Sequence, residues 1–296
     1  MAIYTSRNPL VVFKNGTAYR LDSLATNIET KSGIAGMVGL RGSSPQVTGR
    51  NGSLYTPGKA REEGRVVISG WATFDNDDGI PQSQRYAQWR ANMDRIMWLF
   101  DTQYGQIQLR EYISDLSNIQ TLAGEYRAAT VEVTAAIDPE MLGPAFGRFT
   151  IECRINDTFW ESSTLYTYTS STGAANTVKV HTISELAGST APIMDATFTV
   201  TGPLTNARLT DVRSGHYVQY NGALASGALW VVDAAAWTSK VGGTSVTANT
   251  VPVGRMSPYL MGISAWGTDA PQVQVSGTGA GTASRFQVVA RRKWLG

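Results

Sequence analysis

The side chains with chemistry to offer are few and scattered. The chain has two histidines, His181 and His216, and one cysteine, Cys153. A structural zinc site takes four such ligands at short paired spacings, which three isolated residues do not supply. No G-x-S-x-G elbow accompanies the serines, so a Ser-His-Asp triad has no sequence support. Asp75-Asn76-Asp77-Asp78-Gly79 approaches a calcium loop, yet its glycine comes one place early and no glutamate closes it. An acidic turn feeding a helix N-terminus accounts for the same residues. Gly277-Thr278-Gly279-Ala280-Gly281 is no phosphate cradle, because Arg285 to Ala290 alternates as a strand where a helix would have to follow. Asn-x-Ser/Thr triplets at Asn15, Asn51 and Asn156 carry no weight without a secretory signal. These residues assign no catalytic role, no metal and no cofactor. Trp230, Trp237, Tyr259 and Trp266 either offer flat faces for stacking a sugar or fill a core.

Composition sets the frame for these side chains. At 296 residues the chain suits one large or two ordinary domains. With 42% apolar and 16% charged residues it can bury a core, and global disorder is not expected. A formal charge of +2 gives no electrostatic case for a dedicated nucleic-acid binder. One cysteine excludes an internal disulfide; Cys153 alternates with Phe149, Ile151 and Ile155 and reads as a small buried hydrophobe. The N-terminus shows no signal-peptide apolar region. No apolar run approaches the roughly 20 residues of a membrane span. The expectation is a chain folded in the cytoplasm.

The strongest single element is a helix over 83–101. Tyr86, Trp89, Met93, Ile96, Met97 and Phe100 share one stripe at 100° per residue, with Ser83 as N-cap and Pro81 just ahead. Trp98 lies off the stripe with Ala87 and Ala91, either packed under a loop or facing another subunit. Lys14-Asn15-Gly16-Thr17 between Leu10–Phe13 and Ala18–Leu21 predicts a hairpin. Arg65 to Phe74 predicts a strand covered on both faces. Val131, Val133, Ala135 and Ile137 predict a strand with one face in and one out, and Arg148 to Ile155 repeats the alternation.

From Ser162 to Thr190 the Ser/Thr/Ala/Gly-rich composition suggests a linker. Beyond it, short strands at Ala196–Val200, Arg208–Val212, Tyr217–Tyr220, Leu229–Asp233, Ser257–Trp266, Gln272–Val275 and Arg285–Ala290 predict a second all-β unit, with an Asn221-Gly222 hairpin turn. The fold class expected is mainly β: two β-sandwich-like domains over 1–161 and 162–296, the first with a docked amphipathic helix and an extended arm.

That arm is the Gly-rich stretch from Gly33 to Gly64, which has too few apolar residues for a core of its own. A structureless loop this long is unusual inside a compact domain. Its hydrogen-bond partners are therefore expected partly on a neighbouring chain, through Gly36, Leu40, Arg41, Arg50, Leu54 and Tyr55, with Trp98 as a further contact.

An N-terminal hairpin comes first, then a Gly-rich segment ending in Gly49-Arg50-Asn51-Gly52-Ser53, then a strand into one helix, and paired strands ending in Asn156-Asp157-Thr158-Phe159-Trp160. This succession resembles the belt domain of the distal tail proteins of long-tailed phages, with Thr158 where the family shows proline. Gly202-Pro203, the Asn221-Gly222 pair and the closing Arg291-Arg292-Lys293-Trp294-Leu295 resemble that family's galectin-like C-terminal domain. The resemblance implies a virion structural protein, no enzyme, forming a cyclic and typically hexameric ring. That ring joins the tail tube protein to the tape measure and tail-tip hub proteins and lets DNA pass unread. The alternative class is a carbohydrate-binding module presented to the host surface.

Overall fold

The computed structural model describes residues 10–21, 26–32, 64–74, 81–112, 124–135, 137, 139–156, 159–171, 178–251 and 269–294. The chain is mainly β with sandwich-like packing of antiparallel strands. It divides into two compact units, 1–160 with the last two residues, and 161–294.

In the first unit the elements are β1 (Leu10–Lys14), β2 (Thr17–Arg20), β3 (Thr26–Ser32), β4 (Gly64–Thr73), α1 (Gln82–Phe100), β5 (Ile107–Tyr112), β6 (Tyr126–Val133), β7 (Glu140–Gly143) and β8 (Phe146–Ile155). Neighbouring strands run β2-β1-β5-β6-β8-β4-β3, with β7 also on β8. The β1–β2 hairpin turns on Asn15 (φ 51°) and Gly16 (φ 82°), the two left-handed positions that a two-residue primed turn requires. Alternation sets the core face. Val66, Ile68 and Ala72 of β4 and Phe149, Ile151, Cys153 and Ile155 of β8 are buried, and the residues between them are half-buried or exposed. This matches the expectation of a strand shielded on both sides only in part.

The α1 helix covers this face with Trp89, Met93, Ile96, Leu99 and Phe100. It starts one residue earlier than expected: Pro81 occupies the N-cap position without a side-chain bond, and Ser83 sits inside the first turn. Tyr86 is half-exposed rather than part of the buried stripe. The strand expected through Ile137 ends at Val133, and Ala135 is exposed.

The second unit begins in β9 (Trp160–Thr169) and continues with β10 (Val178–Thr182), β11 (Thr197–Thr201), β12 (Leu204–Asp211), β13 (Tyr217–Tyr220) and β14 (Ala223–Leu224). It is completed by β15 (Leu229–Asp233), β16 (Thr238–Val241), β17 (Thr244–Ser245), β18 (Thr250–Val251), β19 (Gln272–Thr278) and β20 (Arg285–Trp294). One layer runs β17-β16-β15-β11-β20-β9 and the other β10-β19-β12-β13-β18, with β14 on β12. Phe198, Val200, Trp230, Val232, Phe286 and Val288 from the first layer meet Leu209, Val218, Val273 and Val275 from the second in one buried cluster, the facing-sheet core of a sandwich.

Two expectations are corrected here. The stretch read as linker-bearing contains β9, whose serines, threonines and tyrosines alternate along a strand, and β10. Asn221-Gly222 is no hairpin turn, because β13 and β14 both pair with β12 on the same side, Arg208 opposite Gln219 and Leu204 opposite Leu224. The pair forms a kink between two lengths of one edge, with Gly222 carbonyl accepting from Asn206 N at 2.9 Å. A side chain on Gly222 would strike the Tyr220 ring, 2.4 Å from a built Cβ.

Candidate functional site

Of the seven residues expected at an oligomer interface, Gly36, Leu40, Arg41, Arg50, Leu54 and Tyr55 lie outside the described residues, and so does the Asp75–Gly79 turn. Trp98 is described, and its place is instructive. It is 39% exposed, and its ring meets Tyr19 of β2 edge-to-face at 5.8 Å. Lys14 Nζ sits 4.7 Å over the indole. The off-stripe face of α1 therefore packs in part on the first hairpin of the same chain.

Lys14 is the residue sequence reasoning missed. Its side chain is fully buried, and its ammonium donates to the carbonyls of Trp98 and Asp101, the latter at 2.7 Å. These carbonyls lie at the C-terminal end of α1, the negative end of the helix dipole, where a cation is favoured. Burial lowers the Lys14 pKa, and the nearby Asp101 carboxylate acts against that shift. Asn15 Nδ2 donates to Tyr104 carbonyl at 3.1 Å. The hairpin tip thus fastens the helix end and its following turn, a contact spanning over 80 residues that no local pattern announces.

On the opposite face of the same sheet, Arg110 stacks between Phe13 (3.5 Å) and Tyr126 (4.7 Å). On the helix side, Arg127 Nε bonds the Glu111 carboxylate at 2.6 Å, a mostly buried cross-strand pair beneath Trp160. Between the end of α1 and the strand end at Val133 lies a groove of about 410 Å³, lined by Met97, Phe100, Gln103, Val133, Ala135 and Ile137 among others.

In the second unit the expected sugar-stacking residues separate. Trp230 is a core residue: it is fully buried, with Nε1 donating to Ser239 Oγ at 2.8 Å. A face packed this way is not offered to a ligand, which corrects the stacking role for that residue. Trp237 is 59% exposed at the β15–β16 turn, with φ 53°. Tyr259 and Trp266 lie outside the described residues.

His181 is buried, with Nδ1 3.1 Å from Tyr168 hydroxyl and its ring against Phe286. Among the described residues no group of three histidine, cysteine or acidic side chains could hold a metal ion. Cys153 is free and buried, and burial pushes its thiol up to about 12. No described helix is long and apolar enough to cross a membrane.

This fold is known elsewhere. The chain is similar to the Dit (gp 19.1) protein of SPP1, described as a paradigm of the hub adsorption apparatus in phages infecting Gram-positive bacteria. The two superpose with a TM-score of 0.52 over 95% of this chain and 98% of that one, at 9% identity. No protein-family model and no curated protein matches the sequence. At this identity the likeness is one of fold, and it takes in both units.

Proposed function

We propose that this protein is a structural component of a phage tail tip, a distal tail protein whose copies close into a ring, most simply a hexamer. In this reading the first unit forms the belt of the ring and the second, galectin-like unit decorates it. The observation that carries it is the two-unit match to the SPP1 hub protein along nearly the whole of both chains. Open strand edges support it, since they are liabilities in a monomer and bonding sites in a closed assembly. The partners that follow are the tail tube, the tape measure and the tail-tip hub proteins, with DNA passing through the lumen unread. Two measurements test the reading. The native mass of the purified chain should be several times its 31.9 kDa, six times for a hexamer, and never that of a single chain. Antibody against it should label virions at the distal end of the tail. Label elsewhere on the particle, or none, refutes the proposal.

The second reading, attachment to host carbohydrate, keeps one described feature in its favour, the exposed Trp237 ring. A glycan array probed with the whole chain and with Trp237→Ala decides it; equal signals, or silence from both, remove it.

A further inference from the structure

The helix-side floor of the first unit is left open along one edge. β6 pairs with β5 as far as Val131 and with β8 from Val131 to Val133. β7 pairs with β8 alone among the described residues, which leaves its outer edge without a strand partner among them. Large apolar side chains gather there. Met141 is 55% exposed, Leu142 46%, and Tyr86 50%. Tyr86 stacks on Trp89 at 5.5 Å, and Trp89 lies against Gly147, which stands opposite Met141.

Two polar atoms on the same helical turn have no partner among the described residues: the buried indole Nε1 of Trp89 and Oε1 of Gln88. Both atoms are closed off from solvent, so what is on offer to a second copy is the β7 edge with its exposed side chains.

The chain also carries a fitting occupant. β3 and β4 are joined by residues 33–63, a 31-residue stretch that holds Ile34, Met37, Val38, Leu40, Leu54 and Tyr55 among its glycines. It enters and leaves at the Gly64 end of β4, opposite Ile155, whereas β7 lies at the Phe146 end, opposite Thr73. Nine steps of about 3.3 Å separate those ends by roughly 30 Å. With donor and acceptor at opposite ends of one sheet, the natural contact is head-to-tail, the kind that closes into rings. Tyr86, Met141 and Leu142 are exposed in the single chain, an apolar patch that a second copy can cover.

We propose that the outer edge of β7, with Tyr86, Met141 and Leu142, is the acceptor surface for residues 33–63 of a second copy, which add a strand there. This rests on the ring reading above and names its contact. The test uses the full chain. A tagged Leu40→Cys chain is mixed with an untagged Leu142→Cys chain under mild oxidation, and Leu142→Glu is assayed by native mass and thermal melting. The native Cys153 is buried and unreactive, so it leaves the background clean.

The expected result is a disulfide between tagged and untagged chains, together with at least tenfold weaker association of Leu142→Glu at an unchanged melting temperature. Absence of the mixed disulfide from cysteine variants that still assemble overturns this contact and leaves the ring standing. So does an unimpaired Leu142→Glu assembly. A monomeric wild type at its highest soluble concentration removes the ring reading and this inference together. A Leu40→Cys/Leu142→Cys double variant that links only within one chain overturns the proposal as well.

Discussion

Replacing Lys293 by methionine tests whether a buried charge cluster holds the second unit together. Lys293 is 8% exposed, and its ammonium lies 2.8 Å from Asp195 and 3.0 Å from Glu161. Its backbone carbonyl accepts from Thr190 N and Ala191 N, so the same residue ties the end of β20 to the segment before β11. Methionine keeps the aliphatic stem and those backbone bonds, and removes only the charge. It leaves two carboxylates facing each other without their cation. Breaking a buried pair costs about 3–5 kcal/mol. These carboxylates are 35% and 39% exposed, so water takes up part of the loss. A cost of about 1–3 kcal/mol is expected.

The pH dependence gives a sharper signature. Burial lowers the Lys293 pKa, but Asp195 and Glu161 outweigh it and the net shift is upward. A lysine raised in the folded state binds its proton more tightly there than in the unfolded chain. Its stabilisation is complete below the unfolded value near 10.5 and fades as pH rises through the folded value. Lys14 has the opposite sign: its pKa is lowered, so its contribution improves as pH rises toward 10.5. The assay is therefore a difference: urea unfolding of wild type minus Lys293→Met, followed by tryptophan fluorescence from pH 7 upward, in which Lys14 cancels. The gap should be constant at neutral pH and close in the alkaline range. A variant as stable as wild type at pH 7, or a gap that widens with pH, refutes the reasoning.

Other substitutions probe the remaining contacts. Ser239→Ala leaves the Trp230 indole without its acceptor and the Thr250 hydroxyl without its 2.8 Å neighbour, so denaturant melts should show a loss of about 1–3 kcal/mol. Lys14→Met removes the ammonium but leaves the Trp98 and Asp101 carbonyls their bonds from Asp101 N and Tyr104 N, so a smaller loss of about 1 kcal/mol is expected in the first unit, read by hydrogen exchange of α1 amides. Trp98→Ala removes the Tyr19 and Lys14 ring contacts, worth about 0.5–1.5 kcal/mol each. If Trp98 also meets a neighbouring copy, native mass should fall by more than that intrachain loss explains. Cys153, with its thiol pushed up to about 12, should resist thiol reagents at pH 8 until the chain unfolds.

Much of this was legible because local rules agree with the tertiary outcome. Asn15-Gly16 forces its hairpin wherever the flanking strands go, and the alternation through Phe149, Ile151, Cys153 and Ile155 marks one face of a strand without ambiguity. The failures share a cause. Lys14 reads as turn decoration because its acceptors, Trp98 and Asp101, are more than 80 residues away. Asn221-Gly222 carries the strongest hairpin signal, yet turn chemistry says nothing about which strand the two arms pair with, and both chose β12. β9 passes for linker because its outer residues are Ser and Thr, while Tyr166 and Tyr168 supply its apolar side. Tyr86 fits the helical stripe by angle, but the sheet beneath it ends at β7 and leaves the ring uncovered.

The exposed Tyr86 ring is part of a larger apolar patch. A helix built only to seal a core places its aromatics where a sheet lies beneath them. Here α1 does so from Trp89 to Phe100, with core residues at under 3% exposure, and then runs past the sheet at its N-terminal turn. Met141 and Leu142 sit on β7, which among the described residues pairs with β8 alone. Three large apolar side chains and an open edge at one place favour association over an isolated fold. In the proposed contact a second copy would bury the patch and extend the sheet at once, and the two ends of β4 and β8 would make that contact head-to-tail.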